Sequence, residues 1–256
     1  MVEFNYDELI KLVDPSLEKK FFGCLIQEII DNIDFKGHEC PLCENEVPMF
    51  LPSPSREKFY CPKCGSMDRH RLVWFYLKNY TDIFSREIKL LHFAPEASMY
   101  HMLEQCETIE YHPVDLMEGP RVKELVDMCS IPYPNNTFDV IYNSHVLEHI
   151  PSDLKAMREL YRCVKPASEG GFVLVMVPLF RSLEHTFENE EYNTDELRLK
   201  YFGQEDHVRK YGMDIINRLE SVGFEVEEIY CKDFFDEDII NNYGIYEFET
   251  MFICKK

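Results

Sequence analysis

Four cysteines form the most specific chemical pattern in the sequence. Cys40 and Cys43 make one Cys-x-x-Cys pair, and Cys61 and Cys64 make a second pair after 17 intervening residues. Each pair turns two sulfurs to one side, and two such pairs can enclose a tetrahedral zinc ion. Four protein ligands leave no open coordination position, so we predict a structural metal and not a catalytic one. Iron in place of zinc, and reduced redox or core cysteines, are the alternatives that the spacing leaves open.

The residues from Asp68 to Arg71 follow the second cysteine pair and combine one acid with two arginines and a histidine. Such a cluster suits contact with an anionic substrate. It suits a structural task equally well, in which Arg69 and Arg71 offset the charge of the thiolates and Asp68 caps the next helix. Both interpretations stay open.

The charge balance limits the partners of the chain. Its 256 residues carry 47 acids against 27 Lys and Arg, a formal net charge of −20. Nucleic-acid binding draws most of its affinity from Lys and Arg that neutralise phosphates, so a nucleic-acid partner is disfavoured. No apolar stretch approaches the roughly 18 residues of a membrane span, and the first residues lack the features of a signal peptide. We therefore expect a cytoplasmic protein without a membrane partner.

The other six cysteines are scattered through largely apolar surroundings. A reducing cytosol argues against disulfides, so we predict that these six are small core residues. They are Cys24, Cys106, Cys129, Cys163, Cys231 and Cys254.

Three regions must position these residues. The sequence predicts amphipathic helices over residues 1–36, a Pro- and Cys-punctuated ribbon over 37–68, and a third domain over 69–256. Within the third domain, a linking helix spans 69–87 and a polar insertion spans 178–213.

Strands and helices alternate in the third domain. The predicted strands cover residues 89–93, 109–115, 122–127, 138–143, 171–177, 224–231 and 246–254. The stretch 171–177 is apolar throughout, as in a strand buried on both faces of a parallel sheet. The alternation predicts an α/β fold with a doubly wound, Rossmann-like sheet of seven strands.

The segment from Glu124 to Ile150 carries a family resemblance. An acid at a strand end is followed by Ile-Pro-Tyr-Pro, a turn, the strand Phe-Asp-Val-Ile and the sequence His-Val-Leu-Glu-His. Lys165-Pro166, Gly170-Gly171 and an apolar strand complete the order. In this order the chain resembles the class I S-adenosylmethionine-dependent methyltransferases, of the methyltransferase type 11 kind, over about residues 88–256.

The resemblance implies where S-adenosylmethionine binds. Asp115 is expected to accept hydrogen bonds from the ribose at the end of the second strand. Asp127 and the Met128 amide are expected to hold the adenine. For each acid, the alternative is a carboxylate that caps a turn or helix. The first loop and the neighbouring strand ends supply the other expected cofactor contacts, which are Phe93, Ala94, Pro95, Glu96, Leu116, Asn143 and Ser144.

The loop after the first strand departs from the family pattern. Methyltransferases of this class usually have a Gly-rich turn here, whereas residues 91–98 read Leu-His-Phe-Ala-Pro-Glu-Ala-Ser. The His-Phe-Ala-Pro-Glu loop, the four-cysteine ribbon and the Arg-His-Arg sequence together resemble one subgroup of the family. The helix that follows can still offer backbone amides to a carboxylate.

Histidines are the candidates for acid–base chemistry. Methyl transfer depends mainly on placement, and it needs a base only for a hydroxyl or a protonated amine. His145 follows the fourth strand, where the family's acceptor side opens, so we predict a catalytic role for it. By resemblance, Glu148 and His149 hold the following helix and loop together.

A second candidate segment, residues 202–212, lies in the polar insertion and is rich in charged and aromatic residues. We predict that His207 is catalytic and that Arg209 grips an anionic group of the substrate. A solvated loop is the alternative. The predicted substrate-binding residues are His185, Asp206, Arg209 and Tyr211.

Three functions compete on these observations. The first is methyl transfer to a small-molecule acceptor. The second is an RNA or protein methyltransferase that presents its substrate with the zinc ribbon. The third is a catalytically silent cofactor-binding or scaffold protein, which the glycine-free loop favours.

Overall fold

The computed structural model describes residues 37–256. The helices predicted over residues 1–36 lie outside this range. The described chain opens with two small antiparallel strand pairs, as expected from its Pro- and Cys-rich composition. These pairs are β1 (His38–Glu39) with β2 (Glu46–Val47), and β3 (Leu51–Ser53) with β4 (Arg56–Tyr60).

Seven later strands form the main sheet. They are β5 (Ile88–Phe93), β6 (Ile109–Asp115), β7 (Glu124–Leu125), β8 (Val140–Ser144), β9 (Phe172–Met176), β12 (Glu225–Tyr230) and β13 (Thr250–Lys255). Their spatial order is β12-β13-β9-β8-β5-β6-β7. Only β13 runs antiparallel to its two neighbours. This arrangement confirms the predicted Rossmann-like α/β fold with seven strands.

Helices fill the connections between the strands. They are α1 (Asp68–Tyr80), α2 (Ala97–Glu104), α3 (Asp153–Cys163), α4 (Asp195–Phe202), α5 (Ile215–Ser221), α6 (Cys231–Phe234) and α7 (Glu237–Tyr243). One turn of 3-10 helix, Leu147–His149, follows β8. The insertion after β9 contributes α4 and the short antiparallel pair of β10 (Phe187–Glu188) and β11 (Arg209–Lys210).

Some predicted elements are shorter than expected. The third strand was predicted over 122–127, but only Glu124–Leu125 pairs with β6, at the edge of the sheet. The last strand was predicted from residue 246 and begins at Thr250. The sequence pattern missed α6 and α7, which are too short to show a clear helical period.

Two buried apolar clusters cover the two faces of the sheet because successive strand residues point to opposite sides. Leu90 and Tyr142 belong to the first cluster, and Leu91 and Ile141 belong to the second. The first cluster also contains apolar residues of the ribbon, which are Cys40, Leu42, Val47, Phe50 and Cys61. The ribbon is therefore part of the core on one face of the sheet. The domain boundary at residue 68 stays a prediction.

The scattered cysteines fall into two groups by their burial. Cys163, Cys231 and Cys254 are buried, as predicted for small core residues, whereas Cys106 and Cys129 are partly exposed, which corrects that prediction. Cys24 lies outside the described residues. Among residues 37–256, no helix has the length and apolar character needed to cross a membrane.

Candidate functional site

The four cysteines of the ribbon converge on one point. All four sulfurs lie within 4.8 Å of one another. The Sγ atoms of Cys40 and Cys64 are 3.7 Å apart, and those of Cys43 and Cys61 are 3.9 Å apart. A tetrahedral ion with bonds of about 2.3 Å separates its sulfur ligands by about 3.8 Å. The sulfurs therefore fit a four-coordinate metal without rearrangement.

The electrostatics and backbone of the cysteine cluster agree with this fit. The neighbouring Cys61 and Cys64 side chains favour the thiolate of Cys40 and hold its pKa well below the usual range. Gly65 follows the second pair with φ +70°, a conformation that glycine adopts at little cost.

Arg71 has a structural role, which is one of the two interpretations that the sequence left open for residues 68–71. Its guanidinium is fully buried and donates to five backbone carbonyls, a complete match for its five N–H groups. The carbonyls belong to Lys58, Phe59, Ser66, Tyr243 and Gly244. Arg71 thus joins the ribbon to the turn after α7. Asp68 pairs with Arg56 at 2.7 Å, inside the same structure.

The carboxyl ends of three parallel strands meet at one edge of the sheet. Phe93 of β5 is in register with Val114 of β6 and with Asn143 of β8. Asp115 and Ser144 are the next residues of their strands. The chain order reverses between β5 and β8, and ligands of doubly wound sheets bind in the crevice at such a point. The structure thus brings most of the predicted cofactor residues together.

The loop after β5 has an alanine in a backbone conformation that usually favours glycine. Ala94 has φ +51°, in the left-handed region that glycine usually occupies. For an alanine this conformation costs about 1–2 kcal/mol. Ala94 N donates to Val114 O at 2.9 Å, and this bond fixes the turn to the neighbouring strand. The absence of glycine from the loop therefore does not prevent a tight turn.

Glu96 lies at the end of this loop between two imidazoles. His92 Nε2 is 2.9 Å from Glu96 Oε2, and His70 Nε2 is 3.4 Å from Glu96 Oε1. Burial alone would raise the pKa of Glu96, but the two histidines outweigh it and hold the pKa below its usual range. Burial lowers the pKa of His70, although Glu96 opposes this shift.

His70 links the ribbon to the first loop. Its Nδ1 accepts a hydrogen bond from Met67 N at 3.2 Å and lies 2.9 Å from Ser98 Oγ. A neutral imidazole that accepts at Nδ1 carries its proton on Nε2, which faces Glu96. Sequence reasoning did not connect His70 with Glu96, because the two residues are remote in sequence and no spacing rule joins them.

The second and third strand ends carry the predicted adenosine contacts. Asp115 Oδ1 accepts from Met117 N, and Asp127 Oδ1 accepts from Cys129 N, so both acids also stabilise their own turns. Leu116 is 69% exposed beside Asp115. Exposed large apolar side chains at a crevice are typical of a ligand surface. Met128 itself is buried.

Asn143 is the clearest sign of a ligand at this edge. Its side chain is fully buried, yet neither Nδ2 nor Oδ1 has a hydrogen-bond partner among residues 37–256. Nearly all buried polar groups in folded proteins are hydrogen-bonded, so an orphaned amide indicates a missing partner. A bound cofactor with both donors and acceptors satisfies that requirement.

The side predicted to receive the methyl acceptor begins directly after β8. His145 has φ +55°, a strained backbone of the kind that clusters at functional sites. Its Nδ1 lies 3.3 Å from Glu148 Oε1. The rings of His149 and His207 meet edge to face at 4.7 Å. Burial lowers the pKa of His207, although Glu148 opposes this shift.

The predicted roles of Arg209 and Tyr211 need correction. Arg209 is buried and donates to the carbonyls of Leu147 and Pro151 and to the Glu188 carboxylate. Its guanidinium is therefore already occupied and cannot grip an anionic substrate. Tyr211 is fully buried, with its hydroxyl 2.9 Å from Asp153 Oδ2. Both residues fasten the insertion to the turn after β8.

Two predicted substrate residues remain at the surface. Asp206 is 70% exposed at its side chain, and its Oδ2 lies 3.2 Å from His149 Nδ1. His185 is also exposed, and its nearest ionic partner is the adjacent Glu184. The structure brings Asp206 to the acceptor side through His149 but shows no such link for the His185 side chain.

One family model and several solved proteins are similar to the chain. A family model described as a methyltransferase domain matches residues 81–229. A solved S-adenosylmethionine-dependent methyltransferase from Archaeoglobus fulgidus is 17% identical, with 76% of this chain and 96% of that one covered and a TM-score of 0.48. One from Mesorhizobium loti is 14% identical, with 71% and 95% covered and a TM-score of 0.48. The [4+2]-cyclase SpnF is also 14% identical, with 91% and 93% covered and a TM-score of 0.49. No curated protein matches the chain significantly.

Proposed function

The chain belongs to the methyltransferase-domain family and is a class I S-adenosylmethionine-dependent methyltransferase, and from this premise we propose that its acceptor is a small molecule. The proposal depends on one observation, which is that the insertion covers the proposed acceptor side. Val208 N donates to Glu148 O at 2.9 Å, and Arg209 is bonded to the same turn. The insertion therefore lies over the turn after β8, and an acceptor must enter beside it. The charge of −20 is a further argument against a nucleic-acid substrate.

We assign the cofactor to the carboxyl edge of the sheet. S-adenosylmethionine supplies an activated methyl group, so the protein's task is to place the acceptor in line with it. Asp115 holds the ribose hydroxyls, and Asp127 with the Met128 amide holds the adenine. Asn143 hydrogen-bonds the cofactor through its side-chain amide, which has no partner among the described residues. The remaining proposed contacts are Phe93, Ala94, Pro95, Glu96, Leu116 and Ser144.

His145 and His207 line the proposed acceptor side. They flank the turn after β8 from two different segments, and His207 contacts His149. We propose that they contact the acceptor and that one of them accepts a proton where the acceptor carries one. Arg209 and Tyr211 act as positioning residues for His207.

We propose that the four-cysteine cluster binds structural zinc and that the ribbon of residues 37–68 is a scaffold for the active site. The sulfur separations suit a closed tetrahedral site, which leaves no position for a substrate. The ribbon positions the first loop through His70, which contacts Met67 at the end of the ribbon and Glu96 in the loop.

Calorimetry with S-adenosylmethionine and Asp115→Ala tests the cofactor assignment. We expect the variant to lose about 10- to 100-fold in affinity, the loss typical of a hydrogen bond to a charged group. Asp82→Ala is the matched control, because Asp82 is an exposed acid outside the crevice. Equal loss in both variants, or binding no tighter than millimolar by the folded wild-type chain, contradicts the proposal.

Turnover against a panel of acceptors tests the small-molecule class. Radiolabelled methyl transfer to members of a small-molecule panel is the expected result. Transfer to RNA or protein fractions alone supports the second hypothesis, in which the ribbon presents a macromolecule. Tight cofactor binding without transfer to any fraction supports a catalytically silent protein.

A further inference from the structure

The turn after β8 holds a buried carboxylate without a hydrogen-bond partner. Glu148 is 1% exposed, and neither of its oxygens accepts a hydrogen bond from the part of the chain that the structure describes. His145 Nδ1 lies 3.3 Å from Oε1 without forming such a bond. A buried carboxylate left in this state is strongly unfavourable unless a cation compensates it.

Two imidazoles stand beside this carboxylate. One ligand atom each from Glu148, His149 and His207 lies within 4.8 Å of the other two. Asp206 Oδ2 is 3.2 Å from His149 Nδ1. A carboxylate in this position fixes the tautomer of a metal-binding histidine and leaves its other nitrogen for the ion.

The protein holds the two segments of this cluster together by itself. His207 belongs to the insertion, whereas Glu148 and His149 belong to the turn after β8. Val208 N donates to Glu148 O, and Arg209 bridges to the carbonyls of the same turn. The cluster is therefore preorganised, which distinguishes it from surface acids that meet by chance.

We propose that Glu148, His149 and His207 bind one divalent transition-metal ion, and that the methyl acceptor binds this ion through an oxygen atom. The second half of this inference rests on the proposed function. Two imidazoles and a carboxylate suit first-row divalent ions. Three protein ligands leave open positions, unlike the closed four-sulfur cluster. The side chain of His149 is 32% exposed, so solvent and an acceptor can reach the cluster.

The proposed metal narrows the acceptor to an oxygen nucleophile. A divalent ion lowers the pKa of a hydroxyl group that it binds. The acceptor hydroxyl releases its proton to His145, the proposed acceptor-side histidine that does not bind the ion, and an oxygen lone pair forms the new C–O bond. The C–S bond of the sulfonium breaks at the same time, and both of its electrons stay on sulfur. The products are a methyl ether and S-adenosylhomocysteine.

Titration of the full chain with Mn²⁺, followed by the electron paramagnetic resonance of free Mn²⁺, tests the site. Mn²⁺ prefers oxygen and nitrogen ligands, so the cysteine cluster does not compete for it. We expect one ion per wild-type chain. Asp206→Asn should weaken binding about 10- to 100-fold, as expected for the partner of a metal ligand. Glu148→Gln and His207→Ala should weaken it at least as much.

His185→Ala is the matched control, because His185 is an exposed histidine of the same insertion. It should bind Mn²⁺ like the wild type. Because Asp206 is exposed, its variant tests the site even if the buried Glu148→Gln does not fold. Equal Mn²⁺ affinity in every folded variant, or no binding by the wild type, overturns the site.

Calorimetry with S-adenosylmethionine on the same samples measures cofactor binding separately, so that the metal site and the proposed methyltransferase function are tested independently. Mn²⁺ binding that depends on Glu148 supports the metal site even if no small molecule is methylated. Methyl transfer to a small molecule that is unaffected by Mn²⁺ and by the Asp206→Asn substitution overturns the role of the metal and leaves the proposed function intact.

Discussion

At the scale of single residues, two non-glycine residues mark the site by their backbone. Ala94 and His145 both have positive φ, at +51° and +55°, and they follow the two central strands β5 and β8. Such conformations persist only where the surrounding structure over-determines them, and they cluster at ligand sites. The crevice between these strands is thus bordered by two strained turns.

Ala94→Gly should stabilise the chain. Glycine removes the cost of about 1–2 kcal/mol for the left-handed alanine and gives back about 0.5–1 kcal/mol in unfolded-state entropy. The net expectation is a gain of about 0.5–1 kcal/mol in the free energy of unfolding by urea. Ala97→Gly, at the start of α2, should instead lose up to about 1 kcal/mol. A loss in both variants would refute the strain at Ala94.

The residue types of the site could be read from the sequence better than their roles could. Asp115, Asn143 and His145 fall at strand ends because the strand pattern fixes those ends. Arg209 and Tyr211 were assigned to substrate because charge and aromaticity suggest recognition. Their burial depends on contacts with a distant turn, and no local pattern encodes such contacts.

At the scale of elements, α1 is the joint between the ribbon and the sheet. It presents Arg71 to five carbonyls of the ribbon and the C-terminal part of the chain, and Phe50 stacks on the guanidinium at 3.9 Å. The same helix presents His70 to the first loop. The helical period predicted a helix over 69–87, whereas α1 ends at Tyr80. It did not predict that an arginine of α1 would be fully buried, since Arg is rarely buried unless paired.

Arg71→Lys should destabilise the chain although charge is kept. Lysine has three donors against the five of arginine, so at least two buried carbonyls lose their partner. At about 1–3 kcal/mol for each, the free energy of unfolding should fall by about 2–6 kcal/mol in urea titrations. Arg69→Lys, a half-buried neighbour on α1, is the control and should change stability far less. Similar losses in the two variants would mean that the carbonyl contacts contribute little.

At the scale of the whole molecule, one hydrophobic cluster extends from the ribbon into the sheet. Cys40 and Phe50 of the ribbon share this cluster with Leu174 of β9 and Ile253 of β13. Composition and spacing predicted both the metal ligands and the sheet. They did not predict that the two would share a core, because a ribbon with its own metal can fold alone.

Removal of the proposed metal should therefore affect the crevice as well as the ribbon. A strong chelator, or Cys43→Ser with Cys64→Ser, should lower both Tm and the affinity for S-adenosylmethionine. Each 1 kcal/mol of lost stability corresponds to roughly 2–4 °C in Tm for a domain of this size. Cys129→Ser, a partly exposed cysteine outside the ribbon, is the control. An unchanged cofactor affinity after metal loss would separate the ribbon from the first loop.

The large sequence separation between Arg71 and two of its carbonyl partners also affects how the chain folds during synthesis. Its Nε partner, Tyr243 O, lies 172 residues further along the chain. At about 5–20 residues per second, the ribosome makes that stretch in roughly 9–34 seconds. During this interval the four cysteines can already bind the proposed metal, while the guanidinium of Arg71 and the apolar face of the ribbon lack their final partners. A nascent chain stalled before α7 is therefore expected to expose this face to chaperones.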